Sequence, residues 1–236
     1  MNAPASQPRP VPAHVLPFVA WVAVMALCNR PAAGCYAVRV AAGAACLVLL
    51  RPWQWYGPLR VRNVWPALLV GLGVFAVWIG PETRWVQTHW PRLFDAYRRF
   101  AVDLGGFGRL PAATGASPYA PGACGWPLTA VRLLGSALVI PVIEEFFWRG
   151  YAYRCLAGSD FVRVDLGRFA ALPFLCVAVL FGLEHQRWLV GIAAGAAYGW
   201  LTLRTRDIWA AALAHATTNL LLGLFAITRG AYAFWG

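Results

Sequence analysis

Seven apolar runs, at about 14–29, 32–50, 64–80, 127–151, 169–187, 188–203 and 208–228, divide this chain, and most approach the roughly 20 residues that an α-helix needs to cross a bilayer. Hydrocarbon offers no partner to a backbone N–H or C=O, so such runs are expected to fold as helices, which bond internally. Composition agrees: 60% of the 236 residues are hydrophobic and 12% are charged, with a mean hydropathy of +0.58. A soluble chain carries roughly 25% charged residues. The expected fold is therefore all-α, a polytopic transmembrane helix bundle of about 7 spans (6–8). The margin reflects runs that are short or hold an arginine, such as Arg39 and Arg132. The first run, Val15 to Cys28, lacks the basic start and small-residue cleavage site of a secretory signal, so it counts as a span.

All twenty basic residues are arginine, which makes the formal charge of +11 a matter of guanidinium groups alone. They scatter over the joints between runs, and no RNA- or DNA-binding motif accompanies them. This excludes a nucleic-acid partner and leaves the lipid bilayer, with arginines as headgroup anchors and topology signals. Arg51, Arg60 and Arg62, then Arg154, Arg163 and Arg168, then Arg204 and Arg206 occupy three joints that fall on one side of a seven-span protein. The positive-inside rule makes that side cytoplasmic, with the chain starting inside and ending outside.

The long joint from Pro81 to Trp126 alternates Trp85, Trp90, Leu93, Phe94 and Tyr97 with Arg84, Arg92, Arg98 and Arg99, the pattern of an interfacial amphipathic helix. From Gly105 to Pro127 it reads as irregular loop. The six cysteines contain no Cys-x-x-Cys pair and are expected to be buried free thiols. The glycines between Gly191 and Gly199 suggest close helix packing.

Three polar clusters interrupt the last four runs: Glu144-Glu145 with Arg149, Phe181 with His185, and His215 with Asn219. Ionisable groups at membrane depth are costly and point to function. Residues four apart share a helix face, so Glu145 is expected to pair with Arg149 while Glu144, turned by about 100°, stays free. Desolvation suits a free carboxyl to proton exchange near neutral pH, as a general base requires. His215 and Asn219 project side by side, and the Phe181 ring can shield His185 from lipid. If runs four and five form a hairpin turning near Arg163, position 144 lies level with 182 and one turn from His185.

The string EEFFWRGYAYR at 144–154, the FxxxH element from Phe181 to His185 and the HxxxN element from His215 to Asn219 resemble the three motifs of the CPBP intramembrane proteases (CAAX proteases and bacteriocin-processing enzymes). That family includes the type II CAAX prenyl endopeptidases. The motifs occur in family order over roughly 128–228, which divides the chain into N-terminal transmembrane helices with an interfacial and loop segment (1–126) and a catalytic core (127–236). The resemblance implies hydrolysis of a peptide bond in a membrane-embedded or lipidated protein or peptide. It makes Glu144 the base that activates water and has His185 hold that water or a metal. It leaves His215 and Asn219 to bind metal or stabilise the oxyanion, and has Arg149 hold Glu145. Phe181 and Trp148 are then the candidate substrate contacts.

If a metal is bound, zinc or another divalent ion, its ligands would be Glu144, His185 and His215. The sequence lacks a His-Glu-x-x-His helix, and a metal-free site stays open. Glu184 departs from the family pattern, standing where an apolar residue is common; it would orient an imidazole or face interfacial water. The short, Trp-rich EEFFWRG segment is most similar to the bacterial branch found beside exosortase systems, which implies a multi-pass protein of the bacterial inner membrane. Two other classes fit the clusters: a non-catalytic scaffold or immunity factor, and a proton-coupled carrier relaying through Glu144 and His185. The carrier lacks the two matched halves usual in transporters.

Overall fold

A computed structural model describes residues 9–28, 32–102 and 117–235. Among the described residues nine helices account for the runs and the long joint: α1 (Pro10–Leu27), α2 (Ala33–Leu50), α3 (Val64–Ile79), α4 (Arg84–His89), α5 (Pro91–Tyr97), α6 (Pro121–Ala157), α7 (Ala171–Leu183), α8 (Trp188–Thr205) and α9 (Ile208–Arg229). There are no strands among the described residues. Helices α1, α2, α6, α9 and α3, the last lengthened by tighter turns to Val61–Glu82, are long and apolar enough to cross a membrane. Leu49, Leu69, Leu138 and Leu172, among others, face outward, as lipid contact requires.

The fifth run departs from expectation. Its helix, α7, has 13 residues and rises only about 20 Å, short of a bilayer core. It stops at Leu183 because Glu184–Arg187 form a turn that Arg187 clamps from beneath. The Arg187 guanidinium donates to both Glu82 oxygens, at 2.5 and 2.9 Å, and to the Ala233 carbonyl at 3.0 Å. His185 therefore stands in a turn between α7 and α8, not on a spanning helix. Arg187 itself is buried.

The α7–α8 pair is packed backbone to backbone. A Cβ on Gly182 would meet Ile192 Cγ1 at 2.4 Å, Ile192 N at 2.6 Å and the Trp188 carbonyl at 2.7 Å. Gly182→Ala is expected to force the hairpin apart and cost about 1–3 kcal/mol. The check is thermal unfolding in detergent against Gly73→Ala, where a Cβ meets nothing within 4 Å.

Helix α6 covers 37 residues, is kinked at Gly125, whose backbone is non-helical (φ 79°, ψ 158°), and beyond the kink widens twice into π-type turns, at Gly135–Val139 and Phe146–Ala152. The first lies just before Pro141, whose ring would otherwise collide with the Ala137 carbonyl. Between the two lies the segment bearing Glu144 and Glu145. Tyr56, in the α2–α3 connection, braces this region: it donates to the Gly150 carbonyl at 3.2 Å, accepts from Arg154 at 3.0 Å and meets His14 at 2.9 Å. Burial pushes its hydroxyl up to about 12, so it stays neutral.

Helix α9 is capped by Asp207, which accepts from the Trp209 N–H and ties down Arg60 and Asn63 with its other oxygen. The expected interfacial helix breaks in two at Trp90-Pro91, and both pieces lie at the surface with Trp85, Trp90 and Leu93 exposed. Residues 103–116, most of the stretch read as loop, lie outside the described residues. The cysteines are free, but none is buried within the protein: five are half-buried and Cys155 is exposed.

Candidate active site

Glu145 is the hub. It is completely buried, accepts from Arg149 Nη1 at 3.0 Å as the four-residue spacing predicts, and also faces His215 Nδ1 at 3.0 Å. That second partner, on α9, was not foreseen. Arg149 sends its other nitrogen to the Gly195 carbonyl on α8 at 2.7 Å and lies over the Phe181 ring at 4.6 Å. One guanidinium thus joins α6, α7 and α8, and one carboxylate joins α6 to α9.

A carboxylate only accepts, so its contact with His215 assigns the proton to Nδ1 and leaves the Nε2 lone pair free. The Tyr198 ring stacks on the imidazole at 4.9 Å and 16°, and Tyr198 is itself fixed through Thr218 to the Gly71 carbonyl. His185 follows the same logic. Its Nδ1 lies 2.8 Å from the Phe181 carbonyl, which can only accept, so Nε2 again carries the lone pair. Phe181 and Trp78 flank that ring at 4.9 and 5.4 Å. In both imidazoles Nδ1 is thereby committed to its partner and Nε2 is left for the cavity.

Glu144 points away from this network. It is buried, and its Oε2 meets no hydrogen-bond partner among the described residues. Glu144, Glu184, His185, His215 and Asn219 line one cavity of about 630 Å³. Glu145 and Arg149 stand behind its wall. Asn219 spends one amide proton on the Ser136 carbonyl at 2.8 Å, in the first wide turn of α6. Phe181 lines the cavity but Trp148 does not; its indole is buried and donates to Glu184 Oε2 at 3.0 Å. Trp148 thus fixes Glu184 at the cavity and is not itself a wall.

The imidazoles and Glu144 have the donor chemistry for a divalent metal. Yet among the described residues no three His, Cys, Asp or Glu side chains stand close enough to hold one. The metal set read from the sequence is therefore not preformed.

Two cavity residues are absent from the sequence-derived site. Arg39 and Arg132 sit inside apolar runs, where in sequence they only blur the span count, but both line the cavity. Their position at membrane depth was the available signal.

Residues 126–221 match the family model described as type II CAAX prenyl endopeptidase Rce1-like. This segment is similar to that family. It contains all three motifs, and with them every residue of the hub and the imidazole pair. No curated protein and no solved structure matches the chain. The protein is a multi-pass membrane protein, and its similarity to that family supports the activity of an intramembrane endopeptidase.

Proposed function

We propose that the protein hydrolyses a peptide bond of a membrane-associated protein or peptide, with Glu144 as the base that activates water in the cavity. The observation that carries this reading is the buried, unpartnered Glu144 carboxyl facing the same space as two imidazole lone pairs and an amide. A brace needed only for stability would satisfy that carboxyl, since burying it unpaired is costly. This counts against the scaffold reading.

In the proposed reaction Glu144 takes one proton from water while an imidazole Nε2 accepts the other O–H in a hydrogen bond. The oxygen adds to the scissile carbonyl, and the second amide proton of Asn219 stabilises the resulting oxyanion. Collapse breaks the C–N bond as Glu144 returns its proton to the departing nitrogen. Arg149 and Glu145 are positioning residues, acting on this chemistry by fixing His215. An oxyanion role for His215 itself has less support, because its free nitrogen is an acceptor.

The dispersed donor set favours water activation without a resident metal. EDTA and 1,10-phenanthroline are expected to leave hydrolysis unchanged, and activity lost to chelation and restored by zinc would refute the metal-free arrangement. For the proteolytic reading the test is cellular: membranes from cells carrying Glu144→Gln should accumulate uncut polypeptides that added wild-type protein then cleaves. Processing that continues in that variant would rule out Glu144 as the base.

A further inference from the structure

The cavity has a second end. Arg39 from α2 and Arg132 from α6 flank Tyr36, with their guanidinium carbons 5.8 and 4.1 Å from its ring centre. Arg39 also lies over Trp21 at 4.1 Å, and Arg132 over Tyr119 at 4.9 Å and Trp235 at 5.6 Å. Arg132 donates to the Trp235 carbonyl. Among the described residues Arg39 makes no hydrogen bond, neither arginine has a carboxylate partner, and both Nε atoms are buried without an acceptor. Arg154 and Arg187, by contrast, are buried with every guanidinium nitrogen on a carbonyl, carboxylate or hydroxyl, and buried Arg149 pairs with Glu145 and the Gly195 carbonyl although its Nε also lacks an acceptor.

Two guanidinium groups beside one ring, half-buried on the cavity wall with both Nε atoms shut off from water, repel each other and have no carboxylate at ion-pair distance among the described residues. Aromatic faces offset only part of that deficit. The missing partner must therefore arrive with the cavity's occupant. We propose that Arg39 and Arg132 bind a carboxylate of the substrate peptide and thereby set its register against Glu144. This rests on the proteolytic reading for what fills the cavity. The planar guanidinium fork matches a carboxylate, and the aromatic walls take the apolar chain leading to it.

Both the carboxyl terminus of a chain and an acidic side chain offer this group, and in either case the cut falls within the few residues that the cavity holds. Arg39 and Tyr36 lie outside the segment matched by the family model. The N-terminal helices thus supply recognition to a domain that carries the reacting groups.

The test uses the full-length Glu144→Gln protein in detergent micelles, so that binding is read without cleavage. The probes are three fluorescently labelled hexapeptides of Ala, Leu and Val: one with a free carboxyl terminus, one amidated, and one amidated with a single Glu. Anisotropy should show at least one acidic peptide binding about tenfold more tightly than the neutral one, and which of them does so identifies the source of the carboxylate. Adding Arg39→Gln should erase that preference, while Arg39→Lys retains most of it. Should Arg39→Gln fail to fold by thermal unfolding, Arg39→Lys and Arg132→Gln carry the comparison.

Absence of any preference, or a preference that survives loss of the charge, overturns the proposal. Continued hydrolysis by Glu144→Gln alongside an Arg39-dependent preference would sink the proteolytic reading alone. Lost hydrolysis without the preference would sink this proposal alone.

Discussion

Glu144→Gln is expected to slow hydrolysis by about 10³-fold, the range of a lost general base, while the purified protein unfolds at the wild-type temperature or above it. The two halves of this result have one cause. The Glu144 carboxyl is buried and unpartnered on Oε2, an arrangement that destabilises the folded state and that the proposed reaction would use. An amide of the same shape removes the charge and with it the ability to take a proton from water. Rate and unfolding temperature should be measured on the same preparation in detergent. A variant that loses activity and also unfolds much earlier would recast Glu144 as a structural residue held by partners, contrary to the geometry.

Much of this arrangement was legible in the sequence because it depends on local rules. Hydrophobic run length located the helices, and the spacing of Glu145 and Arg149 gave their ion pair. Glycines at close intervals marked the tight α7–α8 contact. What escaped depends on which segments meet.

The fifth run reads as a span because apolar residues continue through Leu183, yet the helix ends there. Its turn is held by Arg187 reaching Glu82, more than a hundred residues away, and no local pattern encodes that pairing. The same holds for His215 on Glu145 and for Trp148 on Glu184. Trp148 looked like a substrate contact because its neighbours are catalytic candidates, but helical rotation turns its ring towards Phe18 and Phe147. Arg39 and Arg132 were missed for a related reason. An arginine near a helix end and one facing an internal cavity look alike in sequence, and only the packing of α1, α2 and α6 separates them.

Arg149→Met should be the most destabilising substitution in the site, by about 3–5 kcal/mol, because it strands a fully buried carboxylate. Methionine replaces most of the apolar volume, so lost packing is a minor part of the effect. The Gly195 carbonyl also loses its donor, and Phe181 loses the cation above its ring. Hydrolysis should fall as well, since Glu145 loses the guanidinium that anchors it behind the cavity wall and no longer holds His215 in a fixed position.

The diagnostic comparison is the double variant Arg149→Met with Glu145→Gln. Removing the stranded charge should restore much of the stability, as measured by denaturant or thermal unfolding in detergent. Full turnover should not return, because a neutral amide holds the His215 Nδ1–H less firmly than a carboxylate does. A double variant no more stable than Arg149→Met alone would mean that the Gly195 contact, and not charge compensation, is what Arg149 contributes to the fold.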